Sequence, residues 1–246
     1  MRVTGYSERG AVNALFYDLV HSGEPLHLLG QLLGLAGFSV PEQLGTGLTD
    51  AHVLIEQSLS DFGDADAILL LDAGTSKAAV FLEAKVKSSR AEPWTLKREF
   101  SNFEQGCCTD RKLSSSNLFT QLYHKSRFIE GLTSGGIELL QKGLSFPECS
   151  TKAVRKIGSN PVVLSAVKEI EPYRGNAWYL ALVPDTTAAV GDFFCRFSAL
   201  GWPLGSAGWE ASRWRGVAWE QVVGFCDSAS LRNTSRVLEF NKGQIC

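Results

Sequence analysis

The stretch DADAILLLDAGTSKAAVFLEAKVK, residues 64–87, decides the fold, because two apolar runs flank a short turn that contains glycine. Apolar runs of this length, bounded by Gly and Asp, are typical of two strands joined in a hairpin. A four-residue turn, AGTS, places Asp72 opposite Lys77, and the same register places Asp66 opposite Glu83. Two carboxylates then face each other at roughly 5 Å, which costs energy unless a cation lies between them.

The second strand of this hairpin also presents a lysine beside its carboxylate. Side chains alternate between the two faces of a strand, so Glu83 and Lys85 share one face. Asp66 and Glu83, together with the backbone carbonyl of Ala84, offer the hard oxygen ligands that Mg²⁺ prefers. Lys85 is placed to hold or deprotonate an attacking water. The spacing therefore predicts Mg²⁺-dependent hydrolysis of a phosphodiester, with Mn²⁺ as a substitute ion.

The periodicity on either side of the hairpin predicts an α/β protein with a mixed sheet flanked by helices. The predicted core spans residues 1–185, and residues 186–246 form a C-terminal α/β extension packed on the same domain. Helices are predicted over residues 8–20 (capped by Ser7), 26–35, 92–105, 116–132 and 188–200, and strands over residues 52–59, 65–72, 77–87, 161–167 and 177–183.

These residues also carry a family resemblance. Asp66, followed after sixteen residues by Glu83-Ala84-Lys85 on an apolar strand, resembles the signature of the PD-(D/E)xK nuclease superfamily. The resemblance implies the restriction-endonuclease-like fold, with an α-β-β-β-α-β core, and an Mg²⁺-dependent deoxyribonuclease. It also implies that Asp66 and Glu83 are metal ligands and that Lys85 is the catalytic lysine.

Two further positions extend this resemblance. The first helix begins Ser-Glu-Arg at residues 7–9, which resembles archaeal Holliday-junction resolvases and implies Glu8 as an auxiliary metal ligand. Gln121 partly resembles the Gln-x-x-x-Tyr helix motif of RecB-like members and is expected to support the site, although Lys125 stands at the fourth position. Asp64 competes with Asp66 for the ligand role, because the sequence there is not Pro-Asp; the hairpin register favours Asp66.

Each of these residues also has an ordinary structural explanation. Glu83 and Lys85 would form a weak ion pair on a solvated edge strand, and Asp66 would be a turn residue at the start of a strand. Glu8 would be an acid in the first turn of a helix, where it complements the dipole, and Gln121 would be a solvated or capping side chain. The apolar residues flanking Glu83 favour a strand that is covered on at least one side.

Composition limits the partners of the chain. The 246 residues carry 24 Lys+Arg and 26 Asp+Glu, so a histone-like protein is excluded and any DNA-binding surface has to be local. Residues 85–127 provide such a surface, with nine basic side chains against four acidic ones. The basic residues are Lys85, Lys87, Arg90, Lys97, Arg98, Arg111, Lys112, Lys125 and Arg127, and the acidic ones are Glu92, Glu99, Glu104 and Asp110.

No secretory signal or membrane-spanning stretch is visible, and the six cysteines include no CxxC pair, so a cytoplasmic protein is expected. The four histidines lack metal-site spacing; His124 is expected at the surface, and Trp202, Trp209, Trp214 and Trp219 are expected to be core or subunit contacts.

The hypothesis is thus a metal-dependent nuclease acting on DNA, in defence against foreign DNA or in DNA repair. An alternative is a catalytically inactive nuclease-fold module with a DNA-binding or structural role, and RNA is a weaker alternative as the substrate. The sequence does not decide between a monomer and a homodimer.

Overall fold

A computed structural model of the chain describes residues 7–38, 47–87, 94–109, 111–197 and 210–245. The strands are β1 (Asp50–Ser58), β2 (Asp64–Ala73), β3 (Ser76–Ala84), β4 (Leu144–Ser145), β5 (Val154–Arg155), β6 (Ala177–Val183) and β7 (Trp214–Ala218). The helices are α1 (Glu8–Val20), α2 (Pro25–Leu35), α3 (Leu96–Cys108), α4 (Leu118–Lys142, with a kink at Gly136), α5 (Pro161–Ile170), α6 (Thr187–Phe197), α7 (Trp219–Ser228), α8 (Arg232–Phe240) and α9 (Lys242–Ile245).

Five strands form a central mixed sheet in the order β1-β2-β3-β6-β7. The first three strands are an antiparallel meander, whereas β6 pairs in parallel with β3, and β7 pairs in parallel with β6. The short strands β4 and β5 form a separate antiparallel ribbon. The α/β class and the mixed sheet flanked by helices are therefore confirmed.

Both faces of the sheet are buried. One face, with Ile68 and Phe81, packs against α3, α4, α5 and α6. The opposite face, with Leu69 and Leu82, packs against α1, α2, α7, α8 and α9. Burial on both faces explains why the central strands read as nearly continuous apolar runs. Because the sheet is covered on both faces, the charged side chains of β2 and β3 need hydrogen-bond or ionic partners within the protein or at the end of the sheet.

The hairpin register is as predicted, with a tighter turn. Asp72 pairs with Lys77, and Ala73 pairs with Ser76, so the turn consists of residues 74–75 rather than four residues. Gly74 supplies a φ of +70°, which a two-residue hairpin turn requires and glycine adopts without strain. The regular pairing continues to Ala67–Leu82, which places Asp66 and Glu83 next in line.

The strand predicted over residues 161–167 is wrong, because this segment is helix α5. The Asn160 side chain accepts a hydrogen bond from the Val162 backbone N–H, and Pro161 occupies the first helical position, where a missing N–H costs nothing. Val163, Val167 and other apolar residues then follow helical spacing and are buried. A short apolar run does not by itself distinguish a strand from a helix.

The C-terminal residues 210–245 contribute to the same sheet and core, because β7 pairs with β6. Trp214 and Trp219 are buried, as predicted, whereas Trp202 and Trp209 lie outside the described residues. The expected surface position of His124 is wrong: the side chain packs inside, and the residue is 4% exposed. Within the described ranges, no helix has the length and apolar character needed to cross a membrane.

Candidate functional site

Asp66 and Glu83 lie side by side at the end of the hairpin farthest from its turn. Both are buried, with exposures of 8% and 1%. Oδ2 of Asp66 accepts a hydrogen bond of 2.8 Å from the backbone N–H of Ala84, which ties the start of β2 to the end of β3. The structure therefore brings these two predicted ligands together, and Ala84 contributes a backbone donor to Asp66.

Lys85 continues β3 into the site and is held on both sides through its main chain. Its N–H donates to the Leu182 carbonyl at 2.8 Å, and its own carbonyl accepts a hydrogen bond of 2.8 Å from Nε1 of Trp219. Its ammonium group donates to Oε1 of Gln121 at 2.5 Å. Gln121 lies in the first turn of α4, which begins after the N-cap Asn117. Two predicted site residues are thus in direct contact.

Glu8 reaches the same place from the other side of the sheet. Ser7 caps α1 by accepting a hydrogen bond of 3.0 Å from Gly10, which leaves Glu8 as the first helical residue. Burial raises the pKa of the Glu8 carboxyl, the charges of Lys85 and Asp66 act on it from nearby, and the backbone of Val86 lowers it, so Glu8 lies close to all three residues. The five predicted side chains, Glu8, Asp66, Glu83, Lys85 and Gln121, therefore form one cluster.

The structure separates Asp66 from its competitor. The Asp64 side chain is 51% exposed and lies 3.9 Å from Arg9, outside the cluster. Only the backbone carbonyl of Asp64 faces inward. Asp64 and Asp66 lie two residues apart on β2, so alternation gives them the same face of the strand. Asp64 is the first residue of β2, however, and lies at the exposed end of the strand.

Lys125 is the residue that sequence reasoning missed. Its side chain is fully buried, and its ammonium group lies 2.7 Å from Oε1 of Glu83 and donates to the Asp64 carbonyl at 2.8 Å. Lys125 stands four residues after Gln121 on α4, and positions four apart share a helix face. That spacing was the available signal, because a helix that presents Gln121 to the site also presents Lys125 to it.

Trp219 was expected only as a core residue, yet it also positions the site. Its indole is fully buried at the start of α7, and its Nε1 fixes the carbonyl of Lys85. The first turns of α1, α4 and α7 therefore meet around Lys85, through Glu8, Gln121 and Trp219. Helix N-termini carry partial positive charge, which favours an anionic ligand at this edge.

Burial dominates the electrostatics of the carboxylates. Burial raises the pKa of Glu83, and the Asp66 charge acts in the same direction, while the charges of Lys125 and Lys85 oppose them. Burial also raises the pKa of Glu8, against the attraction of Lys85. Three carboxyl groups therefore lie near the ammonium groups of Lys85 and Lys125, and burial disfavours the charged form of two of them.

The donor set suits Mg²⁺ chemically, because every candidate ligand offers oxygen. Oε1 of Glu83 is buried and, apart from its ionic contact with Lys125, accepts no hydrogen bond from the residues that the structure describes. Among the described residues, however, no three His, Cys, Asp or Glu side chains are arranged as a metal-holding group. Oδ2 of Asp66 is turned to Ala84 and Oε1 of Glu83 to Lys125, so one oxygen of each carboxylate is already engaged by a protein group.

Basic residues lie at the same edge of the sheet. The backbone N–H of Leu96, at the start of α3, donates to Asp185 just beyond β6, and β6 is the neighbour of β3. Lys97 and Arg98 follow Leu96 and are exposed. Among the other residues of the basic segment, Lys112 donates to backbone carbonyls and Arg127 pairs with Glu130, whereas Arg90, Glu92 and Asp110 lie outside the described residues.

Comparison with known proteins adds no relative: no family model, no curated protein and no solved structure matches the chain.

Proposed function

We propose that the protein is a metal-dependent nuclease of the PD-(D/E)xK type that hydrolyses phosphodiester bonds in DNA. The observation that carries this proposal is the convergence of Glu8, Asp66, Glu83 and Lys85 at one edge of the sheet. These residues come from two distant segments of the chain, and three of them are carboxylates held close together in a largely buried site. Such an arrangement stores repulsion that a bound cation relieves.

The residues have separable roles in this proposal. Asp66, Glu83 and Glu8 would hold Mg²⁺, which supplies charge stabilisation and an activated water for attack on phosphorus. Lys85, fixed through its backbone and through Gln121, orients that water and stabilises the charge that develops on the phosphate oxygens. The oxygen of the water would bond to phosphorus as the P–O bond on the opposite side breaks. The water would lose one proton to solvent, and the leaving oxygen would take one up from solvent.

The surroundings fit an anionic polymer as the substrate. Three helix N-termini meet at Lys85, and Lys97 and Arg98 are exposed at the same sheet edge. Phosphate groups bind both to helix N-termini and to basic side chains. The chain as a whole is close to neutral, so contact with DNA would be confined to this edge.

Cleavage assays test this proposal. Single-stranded, double-stranded and branched DNA, with matched RNA strands, are incubated with the protein in Mg²⁺, in Mn²⁺ and in EDTA. We expect DNA cleavage that requires the metal and is lost in Asp66→Asn and Lys85→Ala. Asp64→Asn is the matched control, because it makes the same change two residues away on a side chain outside the cluster. Cleavage that survives Asp66→Asn or Lys85→Ala contradicts the assignment.

The contacts of the two carboxylates favour a second candidate function, a catalytically inactive nuclease-fold module with a DNA-binding or structural role. The hydrogen bond from Ala84 to Asp66 and the ionic contact of Lys125 with Glu83 give both carboxylates partners without a metal. Titration with Mn²⁺ by calorimetry separates the two candidates. Binding that is lost in Asp66→Asn favours the nuclease, whereas absence of binding to the intact site favours the module.

A further inference from the structure

Lys125 occupies the position in which a cation would meet Glu83. The side chain is fully buried in α4, and its ammonium group lies 2.7 Å from Oε1 of Glu83. Lysine is almost never fully buried unless it is paired, because its charge loses hydration. Its neighbours on the same helix, such as Leu122 and Phe128, are apolar core residues. An apolar side chain at position 125 would therefore satisfy the packing, and the ammonium group calls for another explanation.

The backbone around Lys125 is shaped to admit the ammonium group. Nζ donates to the carbonyl of Asp64 at 2.8 Å. The preceding residue, Gly63, has a φ of +83°, and a Cβ at this position would lie 3.3 Å from Nζ. The strand entrance thus leaves room for the ammonium group, and it supplies a second oxygen that Lys125 keeps when Glu83 turns away.

We propose that Lys125 is a positioning residue that closes the metal site: its ammonium group neutralises Glu83 in the metal-free protein and has to release this carboxylate before a divalent ion binds. This inference rests on the proposed role of Glu83 as a metal ligand. It explains why oxygen ligands of the right chemistry are gathered at one place, yet are not arranged as a metal-holding group among the described residues. The ion would bind against the competition of a cation that is already present.

Mn²⁺ affinity, measured by calorimetry on the full chain, tests the proposal without reference to cleavage. Lys125→Met removes the ammonium group and keeps a long apolar side chain. Lys85→Met is the matched control, because it removes an equal charge from the same cluster. The ammonium group of Lys85 contacts Gln121, whereas that of Lys125 contacts Glu83. We expect the Kd for Mn²⁺ to fall at least about tenfold in Lys125→Met, and to fall less or to rise in Lys85→Met.

A second variant covers the case in which Lys125→Met does not fold without metal. Lys125→Gln is neutral but can still donate to the Asp64 carbonyl, and its melting temperature is compared in EDTA and in Mn²⁺. Because Glu83 then lacks a counter-ion, Mn²⁺ should raise the melting temperature of Lys125→Gln more than that of the unsubstituted protein. An equal or smaller rise, or an unchanged or weaker Mn²⁺ affinity in Lys125→Met, overturns the proposal.

The outcomes also separate this inference from the proposed function. Binding of Mn²⁺ by the unsubstituted protein, with no gain in either Lys125 variant, overturns the closing role and leaves the nuclease intact. Binding only after Lys125 is replaced supports the closing role and, with no cleavage by the unsubstituted protein, contradicts the nuclease. Binding by none of the proteins overturns both.

Discussion

The contact between Glu83 and Lys125, hereafter the Glu83–Lys125 pair, makes a quantitative prediction about stability. Glu83→Gln leaves the fully buried ammonium group of Lys125 without its counter-ion. Lys125→Met likewise leaves the Glu83 carboxylate, which is 1% exposed, without its counter-ion. Removing one partner of a buried ion pair costs about 3–5 kcal/mol. For a chain of this length, 1 kcal/mol corresponds to about 2–4 °C, so each single change should lower Tm by about 6–20 °C.

The double variant Glu83→Gln/Lys125→Met is expected to be more stable than the sum of the single effects predicts. It leaves neither charge of the pair unmatched, and replacing a whole buried ion pair is often close to neutral. Because each single change costs about 3–5 kcal/mol and the double change little, the free energy of coupling between the two positions should be at least about 3 kcal/mol, and about 6–10 kcal/mol if the double change is neutral. Urea unfolding of the four proteins in EDTA measures it.

An exposed ion pair of the same chain provides the comparison. Asp192 and Arg196 lie 3.7 Å apart on α6, and both side chains are 77% exposed. Exposed pairs four residues apart on a helix contribute about 0.3–0.5 kcal/mol, so their cycle should show little coupling. If the effects at Glu83 and Lys125 add within about 0.5 kcal/mol, the two groups do not depend on each other and the reasoning is refuted.

Three further changes test the surroundings of the site. Gly63→Ala should lower the free energy of unfolding by about 1–3 kcal/mol, because φ at this position is +83° and the new Cβ contacts the buried ammonium group of Lys125. Gly175→Ala is the control in urea unfolding, because a Cβ there meets open space and its φ is not in the left-handed region. Burial lowers the pKa of His124 to about 2 in the folded protein, whereas the same side chain titrates at about 6.5 in the unfolded chain. Between about pH 2 and 6.5 the unfolded chain therefore binds one proton more than the folded protein. The free energy of unfolding should then fall by up to ~1.4 kcal/mol per pH unit below about 6.5. Urea unfolding at pH 7, 6 and 5 checks this, and an equally steep loss in His124→Phe would contradict it. Trp219→Phe leaves the carbonyl of Lys85 without its donor and should cost about 1–3 kcal/mol by thermal unfolding, whereas an unchanged Tm would mean that the hydrogen bond contributes nothing.

The hairpin and its register could be predicted because they depend on local rules. Alternation assigns Asp66 and Glu83 to one face, and the register of a hairpin follows once the turn is located. The exact turn was predicted less well, since both a two-residue and a four-residue turn place Asp72 opposite Lys77. The structure adds the pair Ala73–Ser76 to this register, which shortens the turn to residues 74–75.

Lys125 could not be predicted in the same way, because its partners are distant in the sequence. A lysine in a helix is ordinarily solvated, and its spacing from Gln121 places Lys125 on the same face of α4 without identifying Glu83 as its partner. The burial of His124, the preceding residue, likewise depends on a residue distant in the sequence, because its ring packs against Phe146. The strand predicted in place of α5 is wrong for a different reason: the short apolar run fits both a strand and a helix, and the flanking Asn160 cap and Pro161 distinguish them.

The topology of the sheet explains why the cluster forms where it does. In the antiparallel hairpin, the start of β2 lies beside the end of β3, so Asp66 meets Glu83. The parallel pairing of β3, β6 and β7 brings the ends of all three strands to the same edge, and α7 begins there directly after β7. Ligand sites of open α/β sheets lie at the carboxyl ends of parallel strands. The position of the cluster therefore follows from strand order, whereas its chemistry depends on Lys125, which pairs with Glu83 and which a bound ion would have to replace there.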